Sequence, residues 1–213
     1  MNPTRRSLVS ALALSPLASA FSEAALAQSG DYSTLPNALP VENPGKVEIA
    51  EFFWYGCIHC YNLEPLLEGW IPKLPQDVQF RRVPAVFNER WALDASIYYA
   101  FEALGLVDKL HRPLFDAIHK DRLKTDNPAA LNEWLTRQGV DPKKFDATMK
   151  SFGVQSRVKR AIQVTSASRI EGTPALMVHG RYTISAEQGR TREGLIAAAE
   201  RLIPVARKTV AKK

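Results

Sequence analysis

Residues 51–61 read EFFWYGCIHCY, an apolar run that leads directly into a Cys-x-x-Cys pair. The stretch over residues 47–54 is short and almost continuously apolar, which predicts a buried central strand. A helix is predicted over residues 57–70, with a kink at Pro65 because proline lacks the backbone donor that a helix interior needs. The two cysteines would therefore lie at the start of this helix, where the strand ends.

The other predicted elements surround this strand and helix. Three further strands are predicted, over residues 78–83, 175–178 and 181–184, the last two joined as a tight hairpin. Apolar residues recur at helical spacing from residue 89 to about residue 170, which predicts a run of core-forming helices. N-cap residues are predicted for three helices at Asn127, Asp141 and Thr191, the first two because a proline follows.

The composition is that of an ordinary globular protein. The chain has 213 residues, of which 46% are hydrophobic and 23% charged. These values exclude a collagen, a disordered tail and a disulfide-rich miniprotein. The formal net charge is +6, and four positive charges lie in the C-terminal tail at Arg207, Lys208, Lys212 and Lys213. Because the rest of the chain is nearly neutral, a nucleic-acid-binding role is not indicated.

The N-terminal residues have the pattern of an export signal. Arg5 and Arg6 precede an apolar stretch over residues 8–21, and residues 25–27 offer the small-x-small pattern of a cleavage site. We expect residues 1–27 to be removed after export by the general secretory route. A twin-arginine signal and a buried N-terminal helix are the alternatives. An exported cysteine pair meets an oxidising compartment, so the expected location is a bacterial periplasm.

Cys57 and Cys60, the two cysteines of the chain, allow three interpretations. A zinc site would need a second close pair of ligands, and the four histidines lack the usual spacing. A structural disulfide would close a very small loop and restrict the unfolded chain little. A redox couple fits best, because a helix N-terminus stabilises a thiolate on Cys57 while Cys60, one turn further, is shielded.

Residues 51–61, together with Thr173-Pro174-Ala175 before the predicted hairpin, resemble the DsbA family of periplasmic thiol:disulfide interchange proteins. The resemblance covers essentially the whole mature chain. It implies an α/β, thioredoxin-like fold over residues 28–88 and 171–213, with a helical domain inserted at residues 89–170. It also implies a dithiol oxidase that introduces disulfide bonds into reduced, unfolded exported polypeptides. The rival functions are a reductase or isomerase of the same fold, a non-catalytic peptide-binding module and a zinc-binding structural protein.

The resemblance further implies what the enzyme needs and which partner it meets. The redox group is the Cys57–Cys60 disulfide itself, so no metal and no dissociable cofactor is expected. Reoxidation would come from a quinone-linked membrane oxidoreductase of the DsbB type. The protein is expected to act as a monomer, without nucleic acid.

The resemblance assigns the catalytic residues one by one. Cys57 is the nucleophile and Cys60 the resolving thiol. His59 would help to stabilise the Cys57 thiolate. Glu51, a carboxylate within an apolar strand, would move protons to and from Cys60.

The residues expected to contact substrate lie close to the sulfur atoms. Thr173 and the cis-proline Pro174 would pair with an extended substrate backbone. Ile58 stands where many family members have proline, and Thr173 where the best-known members have valine. These two departures bear on redox potential and substrate preference. Glu64 would either tune the cysteine pair or lie on a solvated helix face.

Overall fold

The computed structural model describes residues 30–210, and within them five strands form one mixed sheet. The strands are β1 (Ser33–Thr34), β2 (Val47–Phe53), β3 (Val78–Pro84), β4 (Ala175–Val178) and β5 (Tyr182–Ser185). Their order across the sheet is β1-β5-β4-β2-β3. Strand β2 is parallel to β3 and antiparallel to β4, and β5 is antiparallel to both β4 and β1. The four predicted strands are confirmed to within one residue, whereas β1 was not predicted.

The predicted helices are present in the predicted order, and a short helix directly before the last one was not predicted. They are α1 (Ile58–Trp70), α2 (Glu89–Ala103), α3 (Val107–His119), α4 (Pro128–Arg137), α5 (Pro142–Met149), α6 (Phe152–Ala167), α7 (Ala186–Gly189) and α8 (Arg192–Val210). The predicted caps are confirmed, since Asn127, Asp141 and Thr191 each accept a backbone N–H from the first turn of their helix. Helix α1 is continuous through Pro65, and the kink predicted there stays a prediction.

Strand β2 is the centre of the structure, and all seven of its residues are buried. On one face of the sheet, Ile49 packs with Leu63 and Leu67 of α1 and with apolar residues of α8. A second hydrophobic core lies among α2 to α6, and it extends to Phe53, Tyr55 and Cys60. The helices between β3 and β4 therefore share their core with the segment that carries the cysteines.

Two sequence-based expectations concern the ends of the chain. The export signal predicted for residues 1–27 lies outside the described residues and stays a prediction. Across residues 30–210, none of the helices is long and apolar enough to cross a membrane.

Candidate active site

The cysteine pair lies where β2 ends and α1 begins. Cys57 caps α1, and its Sγ accepts a hydrogen bond from the backbone N–H of Cys60, 3.4 Å away. The helix thus begins one residue later than predicted, because Cys57 has extended backbone angles. Cys57 is half-buried, whereas Cys60 is 0% exposed. The two thiols therefore differ in access to solvent although they are three residues apart.

Gly56 allows the loop before Cys57 to close tightly. A Cβ atom at this position would overlap the indole ring of Trp54, which folds back over the glycine. The Trp54 ring is stacked on Trp91 with 4.3 Å between centroids, and its Nε1 donates to Asp94 Oδ2 at 2.8 Å. Because the indole is held by both contacts, a larger residue at position 56 would require either the Trp54 ring or the loop before Cys57 to shift.

The surroundings of the two sulfur atoms separate their acidities. A hydrogen bond from the Cys60 thiol, acting with Thr173 and the backbone N–H groups of Cys60 and His59, lowers the pKa of Cys57 to about 5 despite its partial burial. Burial raises the pKa of Cys60 well above its usual value, and the neighbouring Cys57 raises it further. At neutral pH, Cys57 is a thiolate and Cys60 a thiol.

The reduced protein is expected to react with iodoacetamide at Cys57 far faster than at Cys60. The thiolate is the reactive form, and only Cys57 combines a low pKa with access to solvent. The measurement is peptide mass mapping of alkylation against time at pH 7. The ultraviolet absorbance of the thiolate, followed against pH, should give a midpoint near 5 that is absent from Cys57→Ser. Equal rates at the two cysteines would contradict the asymmetry.

The loop before β4 approaches the Cys57 sulfur from the other side. The Thr173–Pro174 peptide bond is cis, and Cys57 Sγ lies 3.3 Å from the carbonyl oxygen of Thr173. Pro174 borders two open cavities, one of about 540 Å³ towards β5 and α7, and one of about 520 Å³ towards His59 and the start of α8. Of the residues between the cysteines, Ile58 is 47% exposed and His59 is also exposed. The structure thus brings the predicted substrate residues to the sulfur.

Glu51 lies beneath the site and is 0% exposed. In the parallel pairing of β2 and β3 it is opposite Arg82, whose Nε is 3.3 Å from Glu51 Oε2. Burial and the nearby charge of Glu64 raise the pKa of Glu51 to about 8, although the charge of Arg82 opposes them. Glu51 is close enough to Cys60 for its charge to raise the pKa of that thiol. A carboxyl that changes protonation near neutral pH is suited to proton transfer.

The sequence left two alternatives for Glu64, a role in tuning the cysteine pair and a place on a solvated helix face, and the structure excludes the second. It does not lie on a solvated helix face, because it is 0% exposed. Arg82 donates to it twice, from Nε at 3.3 Å and from Nη2 at 2.8 Å, and His111 Nε2 is 3.2 Å from its Oε1. Sequence reasoning missed Arg82 and His111. Alternation on β3 places Arg82 beside Glu51 once the strand register is known, but no local pattern marks His111.

Within residues 30–210, no group of three or more His, Cys, Asp or Glu side chains is placed to hold a metal ion. The zinc interpretation of Cys57 and Cys60 thus gains no support from the described part of the chain.

Comparisons with known proteins show which family the chain belongs to. The family model of the DSBA-like thioredoxin domain matches residues 77–192. The chain is 39% identical to the thiol:disulfide interchange protein DsbA of Azotobacter vinelandii over 194 residues, which is 91% of each chain. The chain belongs to the DsbA family. The DsbA of Bordetella parapertussis is also 39% identical, over 96% of this chain and 97% of that one.

The solved structures of the DsbA family confirm the fold class. The crystal structure of Pseudomonas aeruginosa DsbA superposes with a TM-score of 0.80 at 36% identity, and it covers 86% of this chain and 95% of that one. The chain is therefore a thiol:disulfide oxidoreductase of the DsbA family with a thioredoxin-like α/β fold, as the sequence predicted.

Proposed function

We propose that this DsbA-family protein oxidises exported polypeptides, with Cys57 as the nucleophilic cysteine and Cys60 as the resolving one. The observation that carries the proposal is the asymmetry of the pair, a half-buried Cys57 with a pKa of about 5 beside a buried, protonated Cys60. A stabilised Cys57 thiolate favours the reduced enzyme, which makes the disulfide a good oxidant of other thiols.

The reaction is two successive thiol–disulfide exchanges. A substrate thiolate attacks Cys57 Sγ in the disulfide, the Cys57–Cys60 bond breaks, and Cys60 leaves as a thiolate. Glu51 in its protonated form gives its proton to the Cys60 sulfur. A second substrate thiolate then attacks the substrate sulfur of the mixed disulfide, and Cys57 leaves as a stable thiolate. The substrate has lost two electrons and the enzyme's cysteines have gained them.

The loop at Thr173 and Pro174 is the proposed binding site for the substrate backbone. Thr173 lies against the Cys57 sulfur and opens β4, so a peptide joined to Cys57 would run alongside this loop. The exposed Ile58 offers an apolar contact beside the sulfur. Such a site holds an extended chain with little demand on its sequence, which suits an enzyme with many substrates.

The cellular setting follows from the export signal predicted for residues 1–27 and from the chemistry of the pair. We place the protein in the periplasm, where reduced polypeptides arrive after export and cysteine pairs persist as disulfides. The regenerating partner is a quinone-linked membrane oxidoreductase of the DsbB type, which would take two electrons from Cys57 and Cys60. The enzyme acts as a monomer, and the cysteine pair is its whole redox group.

A redox titration of the purified protein against glutathione tests this function. An oxidase should have a potential near or above that of the glutathione couple, because the Cys57 thiolate stabilises the reduced form. A strongly reducing potential would instead indicate a thioredoxin-like reductase. Oxidation of a reduced, unfolded model protein with four or more cysteines gives the matching activity assay, with Cys57→Ser as the inactive control.

Glu51→Gln is expected to slow the step in which Cys60 leaves, by about a hundredfold, because the departing sulfur loses its proton donor. In the parent enzyme the rate per substrate thiolate should fall as rising pH removes the proton from Glu51, whose pKa burial holds well above its usual value. The variant should lack this fall. Stopped-flow fluorescence with a small dithiol across pH 6–9 measures both, with thermal unfolding as the check on folding. An unchanged profile would assign Glu51 a structural role.

A further inference from the structure

His111 of α3 is a buried histidine whose two ring nitrogens both have partners. It is 5% exposed and lies against the rings of Phe53 at 5.1 Å and Phe115 at 5.2 Å. Its Nδ1 is 2.9 Å from the hydroxyl of Tyr55, and its Nε2 is 3.2 Å from Glu64 Oε1. The histidine therefore joins the loop before Cys57 to the buried carboxylate on α1, although it comes from the helical segment.

The partners of His111 select one tautomer. Burial lowers the pKa of His111, so the ring is neutral at neutral pH and has one N–H. Glu64 offers only acceptors, so Nε2–H donates to it, and Nδ1 accepts from the Tyr55 hydroxyl. The charged and titratable groups around the ring are Glu64 on α1, Tyr55 before α1, Arg82 on β3, Tyr98 on α2, and Arg112 on α3 itself.

Two buried carboxylates share the single charge of Arg82, but they are bonded unequally. Glu64 accepts three hydrogen bonds, two from Arg82 and one from His111. Neither oxygen of Glu51 has a hydrogen-bond partner within residues 30–210, and Arg82 meets it as an ion pair, with Nε 3.3 Å from Oε2. A proton shared between two such groups goes to the one whose anion is less well bonded, which here is Glu51.

We propose that His111 is a positioning residue for the proton step at Cys60: by donating to Glu64, it keeps Glu64 ionised and leaves Glu51 as the carboxyl that holds the exchangeable proton. The inference rests on the proposed role of Glu51. The pKa values agree with the geometry, since burial raises that of Glu64 but the bond from His111 and the charge of Arg82 bring it below the usual value. The pKa of Glu51 is raised in turn.

The test compares His111→Phe with His111→Gln. Phenylalanine fills the site but gives Glu64 no donor, so the ratio of protonated Glu51 to protonated Glu64 should fall about tenfold. Glutamine places an amide N–H and a carbonyl oxygen at the spacing of the two ring nitrogens and cannot titrate, so it should restore the parent ratio. Carboxyl carbon chemical shifts, followed by NMR from pH 4 to 10 and assigned with Glu51→Gln and Glu64→Gln, report which carboxyl binds the proton.

Rate measurements distinguish a failure of the inference about His111 from a failure of the proposed proton-transfer role of Glu51. His111→Phe should weaken the fall in rate that we expect of the parent enzyme as Glu51 loses its proton, and His111→Gln should keep it. Tyr55→Phe, which removes the hydroxyl that donates to Nδ1, should lie between them and covers the case in which His111→Phe does not fold. If the three variants and the parent share one proton distribution, the inference is wrong. If Glu51→Gln also leaves the rate profile unchanged, the proton role of Glu51 is wrong as well.

Discussion

Cys60→Ala is expected to accumulate mixed disulfides between Cys57 and its substrates, with lifetimes at least about a hundredfold longer than in the parent protein. In the parent, the Cys60 sulfur lies one helical turn from Cys57 and can attack the mixed disulfide without diffusing to it. In the variant, the Cys57 thiolate forms a mixed disulfide by attacking an existing disulfide of an exported polypeptide, whose other sulfur leaves as a thiolate. The internal thiol that would break this mixed disulfide is absent. Non-reducing gels of periplasmic extracts after acid quenching measure the adducts, and mass spectrometry identifies the joined polypeptides.

The matched control is the double variant Cys57→Ser, Cys60→Ala, which should form no adducts. Because neither change removes a charged partner from the buried network of Glu51, Glu64 and Arg82, both variants should fold. Adducts that persist in the double variant, or an absence of adducts from Cys60→Ala, would contradict the assignment of Cys57 as the substrate-binding sulfur.

Between pH 4 and pH 7, the free energy of unfolding of the reduced protein is expected to rise by about 2 kcal/mol relative to that of the oxidised protein. The pKa of Cys57 is about 5 in the folded protein, against about 8.5 in an unfolded chain. A depressed pKa adds stability that is fully present above the unfolded value and is lost as pH falls through the folded value. Two pH units above the folded pKa would correspond to ~2.7 kcal/mol, which we reduce because Cys57 is partly open to solvent.

The disulfide opposes this contribution, and the balance depends on pH. Closing the four-residue Cys57–Cys60 loop restrains the unfolded chain by roughly 2 kcal/mol in the entropy model. As pH approaches 8, the stabilisation by the folded Cys57 thiolate exceeds the stabilisation by the disulfide, so the reduced form should be the more stable there. A more stable reduced form is known for the DsbA family. Denaturant unfolding of both forms from pH 4 to 8 measures the gap. Carboxylates far from the cysteines cancel between the two forms, and Glu51→Gln removes the one carboxyl whose pKa the Cys57 thiolate raises.

Two single-cysteine variants isolate the thiolate. Cys60→Ala removes the thiol hydrogen bond that lowers the pKa of Cys57 most but keeps the backbone N–H bond, so it should retain only part of the pH dependence. Cys57→Ala should lose it. An oxidised parent that is the more stable at every pH would show that the Cys57–Cys60 bond is a structural staple.

The sequence alone predicted most of the fold because its signals are local. The apolar run of β2, the proline that follows each of the caps Asn127 and Asp141, and the spacing of the cysteines each depend on a few neighbouring residues. The two-residue strand β1 was missed because it exists only through its pairing with β5. A strand of two residues is too short to show a periodic pattern in the sequence.

The buried part of the site could not be predicted for a similar reason. Glu51 was marked by its place in an apolar strand, but Glu64 looked equally suited to solvent until Arg82 and His111 were seen around it. Those two partners come from β3 and α3, 18 and 47 residues away along the chain. The network forms through strand register and helix packing, and no local sequence motif predicts either of them.

The hydrophobic core shared by α2 to α6 with Phe53, Tyr55 and Cys60 links the packing of the helical segment to the surroundings of the resolving cysteine. A substitution that repacks α2 or α3 also alters the walls around the resolving sulfur. We therefore expect such substitutions to change the stability of the protein and its redox potential together. A chimaera that exchanges residues 89–170 between two relatives would carry part of the donor's redox character with it, while both cysteines remain those of the recipient.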